Sequence, residues 1–198
     1  MDKVLSAINY GICAFSLEVL QDFLRKERIR TKKLLEYLQK TPDKYTAALK
    51  EGVWIPFVKI NAVEYVIKLS DYDAPFDNEW VQKMEYCGFN IEIKDGLWFS
   101  DTNSFLAFDK EKYTGSDNIS YQTLNYSTKK TVTLYSGFKY NVSPGKYLLS
   151  IKGYARKEQV EFPRPNYGFL FSLNRVNEFN SFNNPRETEL YNFNVANI

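Results

Sequence analysis

Lysines, carboxylates and tyrosines are the groups left to do chemistry here, because the chain contains no histidine. That absence removes Ser-His-Asp and Cys-His nucleophile activation, the commonest general base, and most zinc and iron sites. No Gly-rich phosphate loop, nucleophile elbow, C-x-x-C or calcium-loop spacing occurs. The expectation is a protein that is not an enzyme and that takes no cofactor and no metal.

What departs from randomness is the division of charge. The chain carries a net charge of only +2, yet residues 71–117 hold 11 acidic and 4 basic residues, a local net charge of −7. Many of these acids fall in predicted loops or at strand ends, where they could gather into one negative field. Asp71, Asp73, Asp77, Glu79, Asp95, Asp101, Asp109, Glu111 and Asp117 are therefore the candidate partner-binding residues, with Tyr113 as an aromatic anchor among them. Such a field attracts a basic protein and speeds its encounter. Interface energy itself concentrates in aromatic anchors. Trp98 reads as core.

The elements that must position these residues read as follows. Val142–Arg156 opens with Ser143-Pro144-Gly145-Lys146, which is turn chemistry. Tyr147, Leu148, Leu149, Ile151 and Tyr154 then form a short apolar run with polar Ser150 and Lys152 set into it, as in a strand with one buried face. Trp54–Ile60, Val63–Leu69, Phe105–Phe108, Ser120–Tyr126, Thr131–Tyr140, Tyr167–Leu173 and a closing Leu190–Val195 read as further strands. Pro56 places its strand at an edge or a bulge. Phe89–Ile93, Asp95-Gly96 and Leu97–Phe99 carry the signature of a hairpin.

Helices are expected in residues 1–52. Val4, Leu5, Ile8, Ile12 and Phe15 fall at helical spacing, and Ser16, Thr31 and Thr41-Pro42 look like helix starts. Trp80–Tyr86 reads as a short helix ended by Gly88. Several short strands with turns between them give an α+β fold: an antiparallel β-sandwich or flattened barrel over residues 53–198, preceded by a helical segment, 1–52. Cys13 and Cys87, far apart, read as buried free thiols of a reducing compartment. No run is long enough to span a bilayer, so the expected location is cytoplasmic.

Asp77-Asn78-Glu79-Trp80, Tyr86-Cys87-Gly88-Phe89, Asp95-Gly96-Leu97-Trp98-Phe99-Ser100 and Phe105-Leu106-Ala107-Phe108 resemble, in that order, the competence DNA-entry nuclease inhibitor family. Thr131–Leu134 and Pro144–Leu149 resemble its closing strands, so that the match spans about residues 60–157. The resemblance implies a β-sandwich that binds and silences a nuclease. More widely it implies an immunity protein of a bacterial toxin system, whose partner is a cognate toxin. Two alternatives stand beside it. A carbohydrate- or ligand-binding sandwich would use Tyr121, Tyr126 and Tyr135. A nucleic-acid-associated regulator would use the basic stretch Arg25–Lys33, although the small net charge speaks against direct nucleic-acid binding.

Overall fold

The computed structural model describes residues 2–125, 128–162 and 164–197. Its strands are β1 (Lys3–Ser6), β2 (Gly11–Phe15), β3 (Trp54–Val58), β4 (Glu64–Leu69), β5 (Trp80–Ile93), β6 (Leu97–Asp101), β7 (Asn118–Asn125), β8 (Lys130–Tyr140), β9 (Gly145–Arg156) and β10 (Tyr167–Val176). Its helices are α1 (Leu17–Lys26), α2 (Leu34–Lys40) and α3 (Pro42–Lys50), with 3-10 turns at Thr102–Phe105 and Lys110–Tyr113. One sheet runs β1-β4-β10-β9-β5 and the other β3-β2-β6-β8-β7. All pairings are antiparallel except that of β4 with β10. The fold is α+β, a sandwich of two open sheets.

Burial explains the layering. Along β9, Tyr147, Leu149, Ile151, Gly153 and Ala155 point inward and their neighbours outward, the alternation expected of that strand. Tyr147, Leu149 and Ile151 share one core cluster with Phe57, Phe99 and Phe171 between the sheets. A second cluster lies on the other face of the second sheet, where Phe15, Trp54, Trp98 and Phe105 pack under Leu20, Phe23, Leu34 and Leu38 of the helices. Strands β3, β2 and β6 of the second sheet are thus covered on both faces.

That double burial corrects the reading of residues 1–15. They form β1 and β2, and β2 is buried at all five positions. A strand covered on both faces shows no polar alternation, and its apolar run matches helical spacing by coincidence. β1 pairs with β4 and β2 with β3 and β6, so the first 52 residues furnish strands to both sheets as well as the three helices. Pro56 does lie on an edge strand, β3.

Four other expectations are corrected. Trp80–Tyr86 is the first half of β5; most of it is exposed, so no buried face marks it as a strand. Gly88 falls at a register shift between Tyr86 and Phe89, with φ of 85°. Asp95-Gly96 does not close a hairpin, because β5 and β6 belong to different sheets. Phe105–Phe108 starts on the last residue of a 3-10 turn and sends both phenylalanines into the helix-side core. Leu190–Val195 forms no strand, although Phe193 and Val195 are buried. Tyr126 lies outside the described residues.

Candidate partner-binding surface

The predicted acids do not share one rim. Asp73 accepts hydrogen bonds from the Leu69 amide (2.9 Å) and the Tyr140 hydroxyl (2.6 Å). Asp71 is exposed nearby. Asp77 accepts from the Glu79 amide at 2.9 Å, and Glu79 pairs with Arg156 at 2.5 Å, at the other end of the first sheet. Asp95 accepts from the Ser16 hydroxyl (2.6 Å) and the Glu18 amide (3.1 Å), so it caps α1 from across the fold. Asp95 lies before β6 and Asp101 ends it, so the strand, about 13 Å from its first to its last residue, holds them apart.

Asp101, Asp109, Glu111, Tyr113 and Asp117 share the segment after β6. Two of the five are interior. Tyr113 is 2% exposed and its hydroxyl lies 3.1 Å from Ser100 Oγ. Asp101 is 1% exposed; its carboxylate accepts from the Asn103 amide (3.1 Å), capping the 3-10 turn, and from the Asn9 amide (3.4 Å). Asp109 caps the next turn through the Glu111 amide, at 3.3 Å. Asp109, Glu111 and Asp117 remain at the surface, with Lys110 and Lys112 among them.

Asp101 leads to a feature that sequence reasoning missed. Together with Thr102, whose hydroxyl donates to the Asn9 and Gly11 carbonyls (both 3.2 Å), it pins the β1–β2 turn. From that turn Ile8 and Tyr10 project, 48% and 63% exposed. Leu106, 36% exposed, projects from the 3-10 segment bound to it. Tyr10 has φ of 54° and Lys59, across the β2–β3 pair, φ of 63°. Both are left-handed conformations that cost an L-residue about 1–2 kcal/mol. The Ile60 amide donates to the Tyr10 carbonyl at 3.2 Å and holds the pair. An exposed aromatic ring on a strained, tied backbone is a preorganised anchor. Ile8 also lines a groove of about 560 Å³, with Asn103, Ser104, Lys112 and Tyr121. The signal for this turn was Asn9-Tyr10-Gly11, turn chemistry hidden inside an apparent helical pattern.

The other candidates fall elsewhere. Trp98 is fully buried, as expected. Tyr135 stacks on Phe138. In Arg25–Lys33, Arg25 pairs with Asp22, Lys26 with Glu51 and Lys33 with Glu36, so half of the six cations are engaged. Among the described residues no group of three or more His, Cys, Asp or Glu could hold a metal.

The two thiols differ, which corrects half of the cysteine reading. Cys13 is fully buried, and burial, aided by the Asp101 charge, pushes its thiol pKa well up. Cys87 is exposed. A maleimide should therefore modify Cys87 in the native protein and Cys13 only after unfolding. Mass analysis reads this directly, and rapid double labelling would contradict the buried site.

Burial also raises the carboxyl pKa of Asp101 and of Glu64. Glu64 accepts hydrogen bonds from its own backbone amide and from the Ser6 hydroxyl, which offset part of that rise. Its native pKa lies above the unfolded one, so the native state holds the extra proton. The stability this contributes is present below the ordinary glutamate range and lost as pH rises through the raised value. Glu64→Gln should flatten that loss: the drop in urea midpoint between about pH 4 and about pH 7 should be smaller than in the wild type. An identical drop would remove Glu64 as a contributor.

The chain matches no family model, no curated protein and no solved structure.

Proposed function

We propose that the protein is a non-catalytic immunity or inhibitor protein that binds a cognate bacterial toxin, a basic nuclease domain, in the cytoplasm of the cell that makes both. The observation that carries this reading is the pinned β1–β2 turn, which offers Ile8 and Tyr10 to solvent. The resemblance of residues 60–157 to nuclease inhibitors supplies the kind of partner. Apolar anchors within a polar, charged rim are the anatomy of a protein interface. Asp109, Glu111 and Asp117, on the segment that leads away from Leu106, supply charge opposite to that of a phosphate-gripping protein. This narrows the acidic-surface expectation from nine carboxylates to three. Among the described residues no helix is long and apolar enough to cross a membrane.

Co-expression with the C-terminal domain of the effector encoded upstream tests the proposal. Growth should be rescued, and the two chains should purify together. The association rate should fall as salt rises, because the Debye length shrinks from about 10 Å at 0.1 M to about 3 Å at 1 M. A complex that forms at the same rate in high salt would remove the acids from the mechanism. Failure to rescue growth or to co-purify would remove the proposal. The groove with Tyr121, Asn103 and Lys112 favours one second reading, a polar ligand such as a carbohydrate, for which a glycan array is the test.

A further inference from the structure

The C-terminal end of α1 closes onto a groove. Arg28, at φ of 56°, ends the helix in a left-handed conformation, and the Ile29 amide reaches back to the Leu24 carbonyl at 2.8 Å. Such a closure sets Ile29 beside Leu24. The chain then runs on to Lys32, whose carbonyl accepts from the Phe108 amide at 2.7 Å and ties the loop to the segment after β6. Leu24, Ile29 and Phe108 supply the apolar lining of a groove of about 530 Å³. Arg25, Arg30 and Lys32 line it from the helix and loop, and Asp109, Lys110 and Glu111 from the tied segment. Arg25 is paired with Asp22, and Lys110 with Glu111 at 3.7 Å. Arg30 and Lys32 are exposed and, among the described residues, have no ion-pair partner. Among those residues the amides of Arg30, Thr31 and Lys32 likewise donate to no protein group.

We infer that this groove seats an acidic segment of a partner polypeptide, with an apolar side chain on Leu24, Ile29 and Phe108 and neighbouring carboxylates against Arg30 and Lys32. Charge complementarity selects an anion, since two cations and three amides stand open there. The rest of the groove selects its kind. A phosphate backbone is charged at every nucleotide and would have to pass Asp109 and Glu111. Bases stack on open aromatic faces, whereas Phe108 is 8% exposed and already stacked on Tyr113. A bilayer surface takes apolar groups that protrude, and Ile29 and Phe108 are buried. An aspartate or glutamate beside a leucine-like residue meets both parts of the groove, placing its charge at the open cations and its neighbour on the apolar lining. This goes beyond the proposed toxin binding and does not depend on it.

Amide chemical shifts of the full chain, followed by NMR as acetyl-Glu-Leu-Glu-amide is added, test the inference. The shifts should saturate and should centre on residues 29–32 and 108–111. Acetyl-Gln-Leu-Gln-amide, which lacks the charge, and acetyl-Glu-Ser-Glu-amide, which lacks the apolar side chain, should each bind about fivefold more weakly or worse. Arg30→Glu with Lys32→Glu changes two exposed side chains, so the melting temperature should stay the same while the affinity for the acidic peptide falls about tenfold or more. Shifts that never saturate, or that centre elsewhere, overturn the inference. So does a neutral peptide that binds as well as the acidic one, or a double variant that binds as the wild type does. A short oligothymidylate that saturates the same amides at a lower concentration than the peptide would assign the groove to nucleic acid, which also overturns the polypeptide as its occupant.

Discussion

Replacing Tyr10 by glycine should leave the protein as stable as before, or up to about 1 kcal/mol more so, while its affinity for the proposed toxin partner falls about 30-fold or more. The two effects have separate origins. The backbone at Tyr10 has φ of 54°, which glycine adopts without the clash an L-side chain meets. Relief of that strain, about 1–2 kcal/mol, is opposed by the larger chain entropy that glycine loses on folding, about 0.5–1 kcal/mol. Little packing is lost, since the ring is 63% exposed. The ring is the largest apolar group the turn offers a partner, and truncation of such an anchor costs about 2 kcal/mol or more. Urea midpoints and a calorimetric Kd measure the two effects independently. Tyr10→Phe keeps the ring and should keep most of the affinity. Unchanged binding in Tyr10→Gly would move the interface elsewhere. A large loss of stability would mean that the turn depends on the ring.

That turn also shows why part of the molecule was legible in the sequence and part was not. β9 could be read because one of its faces is buried and the other is not, so its residues alternate. Pro56 could be read because its missing amide restricts it to an edge whatever the surroundings. The Thr41-Pro42 start of α3 is equally local. β1 and β2 could not, since tertiary burial on both faces of β2 erases the alternation on which such a reading depends. Asp95-Gly96 carries a local signal for reversal that the sheets override: β6 is buried at every position, and its place between β2 and β8 takes it out of reach of β5. Asp95 then serves α1. Charge counting found the segment that holds Asp109, Glu111 and Asp117. It could not tell them from Asp101, because only the fold shows which carboxylate is interior.

Gly153→Ala should be the most damaging single methyl addition in the core, lowering stability by about 3 kcal/mol and the melting temperature by roughly 6–12 °C. The backbone at this position is not left-handed, so the effect is steric. A Cβ there would run into Cγ1 of Val195 and would lie 3.0 Å from Cε and 3.1 Å from Cγ of Met84. Met84 is a flexible side chain that can shift. Val195 is 1% exposed and stiff at χ1. It belongs to a chain end that holds the core without strand pairing: Phe193 packs against Phe57 and Phe89, the Asn192 amide donates to the Tyr86 hydroxyl at 3.0 Å, and Asn194 bonds Asn61 at 3.2 Å. Pushing Val195 out therefore strips the cover from β9 and β5 together. The decisive measurement is a double-mutant cycle with Val195→Ala, which by itself should cost about 1.5–2.5 kcal/mol. If the methyl group and the valine compete for one space, the double variant should be more stable than additivity allows by about 1 kcal/mol or more. Additive losses would mean that the chain end can move aside, and that glycine at this point of β9 is not what lets an unpaired segment close the core.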